Sequence, residues 1–269
     1  MESTMRSHTL ATITAYPQRK SGDSVVGSRS AVLALHSSGC SACNLRGLCT
    51  PCCGLTRAEF DVADQLDFHR THVKRGEYLY RSGDPFTCLF AVRSGFFKSF
   101  ALSPNTCCQV LGFSMTGELL GMEGIGPGLH ICNALALEDS DVCAMPFVGL
   151  QKLAREIPRL QRQLHKTMGR EIVRNHEEML RLGSMNSHER LAMFLLDISQ
   201  RFAARGYSPS EFHLRMTRED IGSYIGQKLE TVSRTFSKFQ QEGLISVEQK
   251  FVRILDRPGL ARVMNRDRV

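Results

Sequence analysis

The stretch MTREDIGSYIGQKLETVSRTFSKFQQEGLI, residues 216–245, fixes the reading of everything around it. Thr217 with Asp220 three positions later has the form of a capping box, in which each side chain satisfies the other's backbone N–H at a helix start. Ile221 and Ile225 give a short helix its inner face, and Gly226 supplies the positive φ that a tight turn needs. The next helix carries Leu229, Val232, Phe236 and Phe239 at spacings of three, four and three, a single apolar stripe. Its other side presents Glu230, Ser233 and Arg234, neighbours at i, i+3 and i+4. A carboxylate can accept from cytosine N4, a guanidinium can bond guanine or a phosphate, and a hydroxyl can take either role, so the trio suits a recognition helix in a major groove. After Gly243, LISV and FVRI flank a short EQK turn and predict the two strands of a wing. The competing reading is a small helical bundle with a merely solvated polar face, which would leave the turn glycine, the wing and the charge balance without a reason.

Upstream, NSHERLAMFLLDISQRFAARG (186–206) places Leu191, Phe194, Leu195, Ile198 and Phe202 on one helical face and ends at Gly206. From residue 187 to the C-terminus, 14 Lys and Arg stand against 10 Asp and Glu, so +4 of the chain's net +7 lies in this part. An excess of this sign favours a polyanionic partner, because neutralising phosphates releases condensed counterions. From about Ile157 onward Met168, Ile172, Asn175, Met179 and Leu182 recur at alternating spacings of four and three, one seam of a long helix. Such a helix either lies against its own domain or pairs with a second copy, where one buried amide such as Asn175 fixes register. Arg162, Lys166, Arg170, Arg174 and Arg181 make its exposed flank basic.

Between Leu55 and Pro146 short apolar stretches alternate with Gly-bearing turns: EYLY, CLFAV, RSGFFKSFAL, CCQVLGF, TGELLG, ICNALAL and VCAMPF. Strands of this length and spacing predict an antiparallel roll or barrel. The sequence thus predicts an α+β chain with an unstructured tail (1–35), a cysteine-rich segment (36–54), a β-roll (55–156), a long helix (157–186) and a winged helix-turn-helix (187–269). No apolar run is long enough for a membrane helix, and the N-terminus lacks the apolar middle of a signal peptide, so a cytoplasmic protein is expected. No motif pairs a nucleophile with a base and no cofactor loop is present, which argues against an enzyme.

The segment HSSGCSACNLRGLCTPCC (36–53) holds five of the ten cysteines. In a reducing compartment clustered thiols are candidates for metal ligation rather than disulfides. Cys40, Cys43 and Cys49 have the spacing C-x2-C-x5-C, which lacks the two close pairs of a usual zinc site and needs a fourth ligand from elsewhere. Spacing alone leaves an iron–sulfur cluster, zinc and bystander thiols all open.

LETVSRTFSKFQQEGLI, the preceding RLAMFLLDISQRFAARGYSPSEFHLRMTREDIG and GELLG in the roll resemble the catabolite-activator and FNR superfamily of bacterial transcription regulators, and within it the FNR branch, from about Cys40 to the C-terminus. The resemblance implies a cyclic-nucleotide-binding-like β-roll sensor, a dimerisation helix carrying Met168, Ile172, Asn175, Met179 and Leu182, and a winged helix-turn-helix. It implies a homodimer that reads a palindromic double-stranded operator of TTGAT-type half-sites through Glu230, Ser233 and Arg234, and contact with RNA polymerase. It also implies oxygen sensing by a labile [4Fe-4S] cluster on Cys40, Cys43, Cys49 and a fourth cysteine that maps onto VCAMPF, Cys143, with Cys132 as competitor on what is expected to be an adjacent strand. The alternative is the same regulator with zinc or a thiol–disulfide pair at its N-terminal site. Family members controlled through dimerisation can carry a carboxylate on the long helix; an amide at Asn175 removes that repulsion, so the cluster-free form is expected to pair more readily. Cys52, Cys53, Cys88, Cys107 and Cys108 read as small buried or surface thiols. Gly117 and Glu118 match a Gly-Glu turn that holds nucleotide in cyclic-nucleotide receptors of the superfamily, yet where those place an Arg the chain reads GLHICNA. A buried phosphate would lack its bidentate partner, so no cyclic nucleotide is expected. His130 reads as an ordinary satisfied or exposed loop side chain rather than a haem ligand.

Overall fold

The computed structural model describes residues 55–63, 68–102 and 108–264. The expected tail, the cysteine-rich segment with Cys40, Cys43, Cys49, Cys52 and Cys53, and also Cys107, lie outside the described residues. After a short helix α1 (Arg57–Ala63) the chain builds eight strands, β1 (His69–Val73), β2 (Tyr78–Tyr80), β3 (Cys88–Ser94), β4 (Phe96–Leu102), β5 (Cys108–Met115), β6 (Leu119–Leu120), β7 (Asn133–Ala136) and β8 (Ser140–Pro146). They form two antiparallel sheets with orders β1-β8-β3-β6 and β2-β7-β4-β5. Val73, Val92, Phe97, Ala134, Ala136 and Val142 fill the space between them. The short segments are rich in aromatic and aliphatic residues that suit a half-buried strand; in β8 Ser140, Val142 and Ala144 are buried in alternation, whereas β6 buries both of its leucines.

β8 runs without a loop into α2 (Phe147–Glu156), and the single residue Ile157 joins α2 to α3 (Pro158–Ser184). Pro158 occupies the first turn of α3, where a missing N–H costs nothing. A second core gathers Leu89, Ala91 and Met145 of the roll with Leu150, Leu153, Leu160 and Leu164 of the two helices; Leu55, Val62 and Cys143 pack on its margin. Beyond Thr167 the apolar residues of α3 leave that core. Ile172, Val173, Met179, Leu180 and Leu182 are exposed, Met179 by 70%.

The remaining elements are α4 (Ser187–Ala203), β9 (Glu211–His213), α5 (Arg218–Ile225), α6 (Leu229–Gln241), β10 (Ile245–Glu248), β11 (Phe251–Ile254) and α7 (Arg257–Met264). A three-stranded sheet of order β10-β11-β9 makes the wing. This C-terminal head shares one apolar cluster with the edge of the roll: Phe96, Phe100, Val110, Phe113 and Met115 of β4 and β5 join Leu191, Leu195, Ile221, Tyr224 and Phe236. Polar ties frame it. Lys98 Nζ lies 2.6 Å from Asp220 Oδ1. The Ser223 hydroxyl donates to the Cys108 carbonyl and accepts from the Val110 N–H, both at 2.8 Å. None of the described helices is long and apolar enough to cross a membrane.

Four details differ from the sequence expectation. Arg174 does not belong to an exposed basic flank: it turns inward, its Nη2 3.4 Å from the Phe113 carbonyl. Arg181 is neutralised by Glu177 and Glu178 at 3.2 and 2.6 Å. Leu229 is 45% exposed, because the apolar stripe of α6 meets the core only from Val232 onward. Cys132 and Cys143 are not on adjacent strands; Cys132 immediately precedes β7 in one sheet, and Cys143 lies in β8 of the other.

The ionic frame carries a pH dependence. Burial works to raise the Asp220 carboxyl, but hydrogen bonds from Lys98 and Thr217 outweigh it and hold the group below the usual carboxylate range. Glu118 is held down in the same way by Arg201 and Arg205 against its own burial. Because both folded values are depressed, their stabilisation is complete above the ordinary unfolded value of about 4 and is lost as pH falls through the lowered folded values. Amide exchange at Val110, corrected for its intrinsic rate, should therefore stay protected down to about pH 5 and open below about pH 4; opening already at about pH 6 would contradict these ties.

Candidate nucleic-acid interface and thiol sites

The local sequence dictates the helix-turn-helix closely. Thr217 and Asp220 form the reciprocal capping box, with Asp220 N–H donating to Thr217 Oγ1 and Thr217 N–H to Asp220 Oδ2, both at 3.0 Å; such a cap is worth about 1 kcal/mol. Gly226 ends α5 at φ 65°, ψ 42°. Gly222, which the sequence reading passed over, is equally needed: a Cβ there would sit 2.6 Å from the Gln227 carbonyl oxygen, so only glycine lets the turn fold back onto α5. The one available signal was that a glycine inside a short helix costs stability and calls for a reason.

Val232, Thr235, Phe236 and Phe239 bury one side of α6, while Glu230, Ser233 and Arg234 are exposed together on the other. Arg218 braces the helix from below, its guanidinium carbon 3.1 Å from the Phe236 ring centroid. At the wing, Gln249 adopts φ 56° between β10 and β11. The head is also pinned to the end of α3. Arg190 donates to the carbonyls of Met185 (2.9 Å), Leu182 (2.8 Å) and Ile225 (3.1 Å), joining the ends of α3 and α5 through one guanidinium. The seam residues of α3 lie along its outward side: Ile172, Asn175, Met179 and Leu182 are exposed and Met168 is half-buried.

In the roll, Cys143 is a half-buried thiol on β8, opposite Arg70 of β1 and Ala91 of β3. It borders the same core as Leu55, the first described residue after the cysteine-rich segment. Cys132 belongs instead to the cluster between the sheets, where burial first, and Glu123 second, push its thiol up to about 12. A thiol that resists ionisation is a poor metal ligand, since the thiolate is the ligating form. Cys88 is half-buried and Cys108 exposed, and burial raises both thiols. His130 is the satisfied kind of loop side chain: it is 3% exposed, stacks on Tyr80 at 3.7 Å between centroids, and places Nδ1 3.0 Å from Glu123 Oε1. Among the described residues no group of three or more His, Cys, Asp or Glu is placed to hold a metal ion.

Two family models match. The Crp-like helix-turn-helix domain covers residues 189–263 and the cyclic nucleotide-binding domain residues 70–156. Together with the long helix between them, these define a DNA-binding transcription regulator. The chain is 44% identical to the transcriptional activator protein anr of Pseudomonas aeruginosa over 225 residues, 84% of this chain and 92% of that protein. It is 38% identical to the fumarate and nitrate reduction regulatory protein of Escherichia coli K12 over 229 residues, 85% and 91% of the two chains. Among solved structures, FixK2 from Bradyrhizobium japonicum matches with a TM-score of 0.68 at 27% identity, covering 74% of this chain and 98% of that one. The chain belongs to the CRP/FNR family of transcription regulators, alongside the FNR and Anr proteins.

Gly222→Ala tests the packing of the turn. We expect a loss of about 1–3 kcal/mol in thermal unfolding from overpacking against a backbone oxygen that cannot swing aside; a melt within about 0.5 kcal/mol of wild type would show that the turn relaxes freely.

Proposed function

We propose that the protein is an oxygen- and redox-responsive cytoplasmic transcription regulator that pairs through α3 and, as a homodimer, reads a palindromic TTGAT-type operator with Glu230, Ser233 and Arg234. Cys40, Cys43, Cys49 and Cys143 would hold a [4Fe-4S] cluster, which when bound supplies an oxidant-labile tie between the N-terminal segment and the roll. Contact with RNA polymerase is part of the same reading, as is the absence of a cyclic nucleotide ligand. His130 supports the latter: an imidazole stacked on Tyr80 and bonded to Glu123 stands where the receptors' arginine is expected.

The observation that carries the proposal is the course of the chain around Cys143. Its thiol borders the core that receives Leu55, so the fourth ligand and the entry of the cysteine-rich segment share one packing environment. The donor set fits the group: clusters of this kind take four thiolates, and Cys143 is accessible where Cys132 is buried and held protonated. From Cys143 the backbone passes through three residues into α2 and through Ile157 into α3, so a pull on β8 reaches the seam without crossing a loop. The seam ends in exposed apolar residues that a second copy would cover, and Asn175 among them sets no like charge across a two-fold axis. Switching from mostly unpaired to mostly paired requires a bias of about 5.5 kcal/mol between the two states.

Chemical analysis of anaerobically isolated protein provides the test. We expect about four irons and four sulfides per chain and no zinc, broad absorbance near 400 nm, and loss of the iron in Cys143→Ser but not in Cys132→Ser. One zinc per chain, or iron that survives Cys143→Ser, would replace the cluster with the zinc or thiol–disulfide reading. At the other end of the molecule, Arg234→Ala should cost about 1–3 kcal/mol in operator binding and relax base preference at one position per half-site; an equal loss on all sequences would make Arg234 a phosphate contact.

A further inference from the structure

Glu118 belongs to the Gly-Glu turn that the sequence resemblance assigns to ligand holding in nucleotide-binding relatives, and the function proposed above gives it no task. Its surroundings show a different one. The turn between β5 and β6 is stitched to β3: Gly117 N–H donates to the Val92 carbonyl at 2.8 Å and Val92 N–H to the Glu118 carbonyl at 2.9 Å. From this fixed base the carboxylate meets the C-terminal end of α4. Arg201 donates through Nε to Oε1 (3.1 Å) and through Nη2 to Oε2 (2.6 Å), and Arg205 donates through Nη2 to Oε1 at 2.6 Å. The Met115 N–H donates to Oε2 at 3.1 Å. The side chains are 22% (Glu118), 13% (Arg201) and 10% (Arg205) exposed, so these are shielded, charge-assisted bonds with a fork geometry rather than surface pairs.

The same two guanidiniums reach the backbone of the roll. Arg201 Nη2 donates to the Phe113 carbonyl at 2.7 Å, and Arg205 Nε donates to the Thr116 carbonyl. With four donors converging on its two oxygens, Glu118 keeps no geometry for a ligand hydroxyl. Helix α4, 17 residues and about 25 Å long, is therefore held at both ends. Arg190 pins its start to α3 and α5, and Glu118 clasps its finish to the roll. The apolar cluster between roll and head is adhesive but non-directional; direction comes from polar ties at two places, Lys98–Asp220 and the Ser223 bonds to β5 beside α5, and the Glu118 clasp at the end of α4, without which the head can turn about the α5 ties.

We propose that Glu118 is a positioning residue: clasped by Arg201 and Arg205, it sets the angle of the reading head against the roll and so the separation at which a dimer presents its two recognition helices. The proposal rests on the operator-binding dimer of the preceding subsection. Its specific consequence is discrimination by spacing. Half-sites are engaged together when their centres lie about one helical turn, roughly 34 Å, apart. A head held at a fixed angle rejects an operator lengthened by one base pair, and a head that swings accepts it.

The full chain, prepared without oxygen, is titrated with an operator of native spacing, one lengthened by one base pair, a single half-site, and native-spacing operators carrying half-site base changes. Glu118→Gln keeps the shape and removes the charge; Arg205→Lys, the second variant, keeps the charge and loses the fork. Both should lower the native-to-lengthened affinity ratio by roughly tenfold while leaving the ranking of half-site bases unchanged. Amide exchange at the end of α4 should quicken in both. An unchanged spacing ratio, or unchanged exchange in α4, overturns the clasp. A rise in wild-type operator affinity with added cyclic AMP that Glu118→Gln abolishes overturns it too, in favour of a ligand role. If the wild type prefers no palindrome over a single half-site, the dimer reading fails separately, and the exchange at α4 still decides for or against the clasp.

Discussion

The contact between the edge of the roll and the reading head is the constraint on which the rest of the molecule depends, and Phe113 is its centre. The ring is 1% exposed and meets Phe96, Phe194 and Tyr224 with centroids 6.3, 6.1 and 5.3 Å away. Its carbonyl accepts from both Arg174 of α3 and Arg201 of α4. One residue of β5 thus touches the roll, the long helix and the head. Burying such a ring stabilises by about 1.5–3 kcal/mol, more than a typical net hydrogen bond at about 1 kcal/mol. Apolar burial therefore holds roll and head together, and the polar bonds around it decide the relative angle.

That division gives the proposed switch a physical course. Cys143 lies on β8, the strand that leads through α2 into α3, and Leu55 and Cys143 border the core that anchors the start of α3. Past Thr167 Ile172, Val173, Met179 and Leu180 are exposed, while Arg174 on the Phe113 carbonyl and Arg190 on the Leu182 carbonyl hold the other side of α3 to the roll and head. A change at β8 would pass into a helix of 27 residues, about 40 Å long. Arg190 then links the end of α3 to the turn of the helix-turn-helix.

What could be read from the sequence was whatever close neighbours along the chain decide. The capping box at Thr217, the left-handed Gly226, the wing around Gln249 and the exposed trio of α6 are all encoded within about a dozen residues, where spacing alone places side chains on a face. The roll was legible as a set of short strands, but not the assignment of strands to sheets; Cys132 and Cys143 were expected side by side because the chain turns between them, whereas it changes sheets there. Helical periodicity put Arg174 on a solvent flank, since a wheel of residues says nothing about which distant strand covers it. The partners of Glu118 stand 83 and 87 residues away and left no local trace. Lys98 and Asp220, 122 residues apart, are illegible for the same reason.

The roll also separates a motif from its role. Gly-Glu is retained, yet its carboxylate faces Arg201 of α4 and Arg205 of the turn after it, and elsewhere the roll holds the stacked pair Tyr80 and His130, with Glu123 bonded to the imidazole. A group that displaced the ring stacked at 3.7 Å would leave the Glu123 carboxylate without its imidazole partner. In a roll that matches the cyclic nucleotide-binding domain model, the retained Gly-Glu turn has the chemistry of a joint to the head. Of the cysteines described there, Cys143 alone combines partial exposure with a place on the strand that leads into the long helix.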